Sequence, residues 1–105
     1  MSLKLLIADD EYFIRQRIKK IIPWEKLNLT FAGEAENGQQ VIDHLEKEPV
    51  DLLLLDIKMP QMNGIETARY IKEHFPSVHM LILSGYNDFE YARTVIRYGV
   101  KEYLL

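Results

Sequence analysis

Pro49-Val50-Asp51-Leu52-Leu53-Leu54-Leu55-Asp56-Ile57-Lys58-Met59-Pro60 is the stretch that decides the fold. Four consecutive leucines, bounded by acidic residues and prolines, are too few for an independent helix. A strand with no alternating polar face is buried on both sides, as in a parallel sheet covered by helices. Toward the N-terminus, Leu3 to Ala8 is a second run of this kind and ends on Asp9-Asp10. Between the two runs, Ile14, Ile18, Ile21 and Ile22 fall at helical spacing, with Arg15, Arg17, Lys19 and Lys20 among them, and Pro23 stops the helix. Leu29 to Ala35 reads as another strand, and Asn37-Gly38 supplies turn chemistry before the helical pattern Val41, Ile42, Leu45.

Toward the C-terminus, Asn63-Gly64 and Pro76 bracket a helix over about 65–75, and Val78 to Leu83 is a fourth strand. Asn87 or Asp88 caps a further helix that Gly99 ends, and Val100 to Leu105 begins a fifth strand. Strands alternating with helices across short connections predict a doubly wound parallel α/β sheet in one domain, 1–105. Ligands of such sheets bind outside the carboxyl ends of the strands. Those ends carry Asp9-Asp10, Asp56 and Ser84-Gly85.

Composition narrows the function. A hydrophobic share of 48% and a charged share of 28% belong to a folded globular chain. A net charge of -3 argues against a nucleic-acid surface on this domain. With no cysteine there is neither a disulfide framework nor a thiolate site, and a cytoplasmic location is expected. No apolar run approaches the roughly 18 residues that cross a bilayer, so no membrane association is expected.

If the strands ending at Asp9 and Asp56 are neighbours, their carboxylates converge. Two carboxylates about 5 Å apart repel by roughly 3 kcal/mol at an effective dielectric near 20, so an ionised set needs a cation or a raised pKa. An all-oxygen site with open positions suits Mg²⁺ and a phosphate oxygen. A carboxylate not consumed as a ligand can attack phosphorus and form an acyl phosphate. Asp56 is the candidate nucleophile.

Ile7-Ala8-Asp9-Asp10-Glu11, Leu54-Leu55-Asp56-Ile57-Lys58-Met59-Pro60, Asn63-Gly64, Leu83-Ser84-Gly85 and Gly99-Val100-Lys101-Glu102-Tyr103, taken in order, resemble a response-regulator receiver along the whole chain. The resemblance implies five parallel strands in the flavodoxin-like order 2-1-3-4-5. It implies phosphorylation on Asp56 by a sensor histidine kinase. Mg²⁺ would be held directly by Asp10, largely through water by Asp9, and by Asp56 and the Lys58 backbone carbonyl. Ser84 would bond the phosphoryl group and Tyr103 would be the switch aromatic. The only chemistry implied is Mg²⁺-dependent self-phosphorylation and autodephosphorylation. The family's Lys three residues past Tyr103 falls at position 106, so the chain reads as a receiver truncated before its final helix, with a homodimer among the expected states. Ile22-Pro23-Trp24 and Tyr86-Asn87-Asp88-Phe89-Glu90-Tyr91-Ala92 resemble receivers joined to an AraC-type helix-turn-helix DNA-binding domain.

Plainer readings stand beside these. Asp10 capping the first helix, Asp9 solvated and Asp56 as a loop acid each need no function. Tyr103 is equally an ordinary strand aromatic. His44, His74 and His79 lack ligand spacing. A flavin carrier needs a phosphate-cradling loop after the first strand, where Asp9-Asp10-Glu11 repels phosphate. A phosphatase with an Asp nucleophile needs a second acid where Lys58 stands. A receiver serving purely as an interaction module is the remaining alternative.

Overall fold

The computed structural model describes residues 2–56, 64–83 and 100–104. The leucine run forms β3 (Leu52–Asp56), and the earlier apolar run forms β1 (Leu3–Ala8). Around them lie α1 (Tyr12–Ile21), β2 (Leu29–Ala35), α2 (Gly38–Lys47), α3 (Gly64–His74), β4 (His79–Leu83) and β5 (Val100–Leu104). The sheet runs β2-β1-β3-β4-β5 and every neighbouring pair is parallel, as the family resemblance implied. The expected fourth helix falls outside the described residues.

The lack of a polar face in β1 and β3 has the cause inferred from the sequence. Leu6 and Ala8 of β1 and Leu53 and Leu55 of β3 pack with Val41, Ile42 and Leu45 of α2 and Ala68 and Ile71 of α3. The alternate residues Leu5, Ile7 and Leu54 pack with Ile18 on the opposite face. Period-two alternation thus feeds two cores, one on each side of the sheet. Trp24 joins the α1-side core and donates from Nε1 to the Lys19 carbonyl at 2.9 Å, closing the exit of that helix.

Two positions of α1 depart from the apolar pattern. Ile21 is 69% exposed, whereas Arg15 is buried with 8% exposure. Each lies about 60° from Ile18 on the helix, on opposite flanks of the inward face. The flank carrying Arg15 is covered by Glu34 of β2, which bonds its guanidinium. Spacing defines the inward face but not which flank a neighbour covers. At the start of α2, Asn37 is a side-chain cap rather than only a turn residue, accepting from the Gln40 N–H at 2.9 Å.

The β1–β2 register jumps from Leu5 opposite Phe31 to Leu6 opposite Gly33. This bulge leaves Gly33 at φ 154, with the site of a Cβ 2.7 Å from His44 Cε1. His44 therefore has a packing role, although its Nε2 is buried without a hydrogen-bond partner among the described residues. Gly33→Ala should destabilise the fold by about 1–3 kcal/mol through overpacking and backbone strain. In urea unfolding, adding His44→Ala should recover the steric part of that loss, and a strictly additive double variant would rule the clash out.

Candidate functional site

β1 and β3 are adjacent and parallel, with Ala8 opposite Leu55, so both strands leave the sheet at its carboxyl end. The residues that follow are Asp9 and Asp56, and Asp10 comes next. Each of these three acids offers one carboxylate oxygen, and those oxygens lie within 4.8 Å of one another. The conditional convergence expected from the sequence is met because β1 and β3 are neighbours.

The three acids differ in environment. Asp9 is buried, Asp10 is exposed and Asp56 is half-buried. The Asp9 main chain is held on both sides, its N–H donating to the Ala35 carbonyl at 3.0 Å and its carbonyl accepting from Arg15 Nη1 at 2.7 Å. Its Oδ1 accepts from the Glu11 N–H at 2.8 Å. Asp9 is therefore not a solvated acid. The N-cap of α1 is Glu11, whose side chain makes no capping bond, and the helix-cap reading of Asp10 gains no support.

Burial pushes the Asp9 carboxyl above its ordinary value, and the charges of Asp10 and Glu11 push the same way. The Glu11 N–H and the Arg15 charge oppose the rise without cancelling it. A buried acid against further acids is the arrangement that a hard divalent cation relieves, since it neutralises the repulsion and accepts only oxygen donors. The donor set fits Mg²⁺, with Asp9, Asp10 and Asp56 as the protein carboxylates.

Of the other expected site residues, Lys58 and Ser84 lie outside the described residues. Tyr103 is placed by its backbone in β5, opposite Ile82 of β4, and its side chain is outside the description. Sequence reading missed Arg15 and Glu34. Arg15 Nε donates to Glu34 Oε1 at 2.8 Å, Gln16 Nε2 donates to the same oxygen at 2.9 Å, and Lys19 Nζ reaches Oε2 at 3.1 Å. A cleft of about 220 Å³ beside this network is lined by Arg15, Glu34, Ala35, Glu36 and Gln40, and the three clustered aspartates are not among its walls. One signal was available, an Arg one helical turn after Glu11, but its partner Glu34 is distant in sequence.

Burial raises the pKa of Glu34, but hydrogen bonds from Arg15 and Lys19, with their charges, outweigh it and hold the carboxyl below its ordinary 4.5. A depressed carboxyl contributes stability that is complete above the unfolded value and lost as pH falls through the folded one. Glu34→Gln should therefore be less stable than wild type at neutral pH, with the gap closing as pH drops below about 4.5. Urea unfolding across a pH series reads this, and a gap widening on acidification would refute it.

Residues 5–105 match the family model of the response regulator receiver domain. The chain is 39% identical over 102 residues to YesN, an uncharacterized transcriptional regulatory protein of Bacillus subtilis, covering 97% of this chain and 28% of that protein. It is 32% identical over 104 residues to the transcriptional regulatory protein DegU of Brevibacillus brevis, covering 99% and 44% respectively. It thus spans less than half the length of these curated relatives. Among solved structures, the REC domain of AraT, a response regulator from Geobacillus stearothermophilus, superposes with a TM-score of 0.92 at 40% identity, covering 100% of this chain and 81% of that one. With the acidic cluster at the strand ends and the 2-1-3-4-5 sheet, these matches show that the chain belongs to the response regulator receiver domain family.

Proposed function

We propose that this domain, residues 1–105, accepts a phosphoryl group on Asp56 from a sensor histidine kinase. The observation that carries the reading is the convergence of the Asp9, Asp10 and Asp56 carboxylates at the ends of β1 and β3. Asp56 ends its strand half-buried, open enough to meet a donor yet fixed by the sheet. One of its oxygens attacks phosphorus, the P–N bond of a phosphohistidine breaks, and the electron pair leaves with the imidazole nitrogen. The product is an acyl phosphate. Asp9, Asp10, Asp56 and the Lys58 carbonyl would hold Mg²⁺, which when bound neutralises the carboxylates and the incoming phosphoryl oxygens. Asp9, locked by three hydrogen bonds, sets the inner wall of the site, whereas the exposed Asp10 carboxylate can adjust to a ligand.

The phosphoryl group adds about 1.5–2 negative charges beside the sheet edge. In this reading the Ser84 hydroxyl bonds it, Tyr103 responds, and the altered surface near β5 passes the state to a linked DNA-binding output domain of AraC type. The transcriptional regulators among the relatives support a transcriptional output. The domain itself binds no nucleic acid, acts in the cytoplasm, forms a homodimer in one of its states, and catalyses only its own phosphorylation and dephosphorylation. Among the described residues no helix is long and apolar enough to cross a membrane.

Intact-mass spectrometry after incubation with a small phosphodonor tests the reading. A single phosphoryl gain that requires Mg²⁺ and vanishes with excess chelator is expected. The proposal fails if the mass stays unchanged in Mg²⁺ or rises equally with the chelator present.

A further inference from the structure

We propose that Arg15 is a positioning residue for the acidic cluster, its buried guanidinium holding the Asp9 carbonyl and thereby the turn that carries Asp9 and Asp10 beside Asp56. The inference rests on the cation-binding reading above and adds a residue to it.

The Asp9 carbonyl lies just past the paired stretch of β1, which ends at Ala8. Arg15 Nη1 donates to it at 2.7 Å, in a buried bond. The same guanidinium is aimed by its Nε bond to Glu34 Oε1 at 2.8 Å, and Gln16 and Lys19 hold that carboxylate in place. A planar fork with one arm on β2 and the other on the Asp9 main chain sets both position and orientation, which a single ammonium cannot do. Burying a guanidinium is unfavourable unless its bonds are met, and here one of them goes to the backbone of a clustered acid. The geometry therefore runs from Glu34 through Arg15 to the main chain of Asp9. If Arg15 only anchored α1, its removal would lower stability and leave cation affinity in the folded protein unchanged.

Calorimetric titration of MgCl₂ into the chain, Arg15→Met and Arg15→Lys separates the two roles, each protein first being shown by urea unfolding to be cooperatively folded. Loss of a partner that orients a metal ligand typically weakens affinity 10- to 100-fold, so Arg15→Met should bind Mg²⁺ about ten-fold more weakly. Arg15→Lys keeps the charge, and should regain stability relative to Arg15→Met without regaining Mg²⁺ affinity. If Arg15→Met does not fold, Arg15→Lys decides alone. A folded variant whose Mg²⁺ affinity stays within about two-fold of wild type overturns the positioning role, while the proposed function survives if wild type still binds Mg²⁺ and is phosphorylated. If wild type binds no Mg²⁺, both readings fall together.

Discussion

Asp56→Asn should abolish the phosphoryl mass gain while leaving the chain folded. The asparagine amide keeps the shape of the side chain at the end of β3 but is no nucleophile toward phosphorus, so no acyl phosphate forms. Because Asp56 is half-buried at a strand end, the exchange opens no cavity. It also removes one of three acids whose oxygens lie within 4.8 Å. A pair of carboxylates at about 5 Å repels by up to roughly 3 kcal/mol at an effective dielectric near 20, so in chelator the variant should melt at or above the wild-type temperature. Mg²⁺ should then raise its melting temperature less than it raises that of wild type, because a ligand stabilises the native state by mass action. Mass spectrometry with donor and thermal melts with and without Mg²⁺ read both effects. A mass gain persisting in Asp56→Asn places the phosphoryl group elsewhere and ends the Asp56 assignment.

Leu55→Ala should cost about 3–5 kcal/mol, the range of leucine deletions in well-packed cores. Leu55 is 0% exposed, sits in the central strand between β1 and β4, and packs in the cluster formed by α2 and α3. Strands bonded on both sides collapse poorly around a cavity. The loss would be about a fifth or more of the stability of a domain this size, about 5–15 kcal/mol. At about 4–8 °C per kcal/mol, the melting temperature should fall on the order of 12–40 °C. Leu27→Ala is the control, because Leu27 is 55% exposed and its truncation should stay within about 0.5 kcal/mol. A Leu55→Ala loss under about 1 kcal/mol would mean that the site collapses freely, against the packing described.

Much of this was legible in the residues. β1 and β2 were read with the bounds they adopt, and β3, α3 and β4 to within a residue or so, because apolar runs cut by Pro, Gly and acids leave few alternatives. The acidic cluster was legible only conditionally. Asp9, Asp10 and Asp56 stood out as acids at strand ends, but their meeting needed β1 beside β3.

Local hydrophobic period and residue chemistry are enough to set the succession of βα units, the two-faced burial of β1 and β3, and the chemical types at the strand ends. The folded arrangement is needed to see that Arg15 is buried and Ile21 exposed, that Glu34 locks Arg15 onto Asp9, and that Gly33 gives room to His44. Each of those depends on which element covers a given flank, a contact between residues far apart in the chain. Local periodicity carries no information about such contacts, whereas packing and the burial of charge decide them.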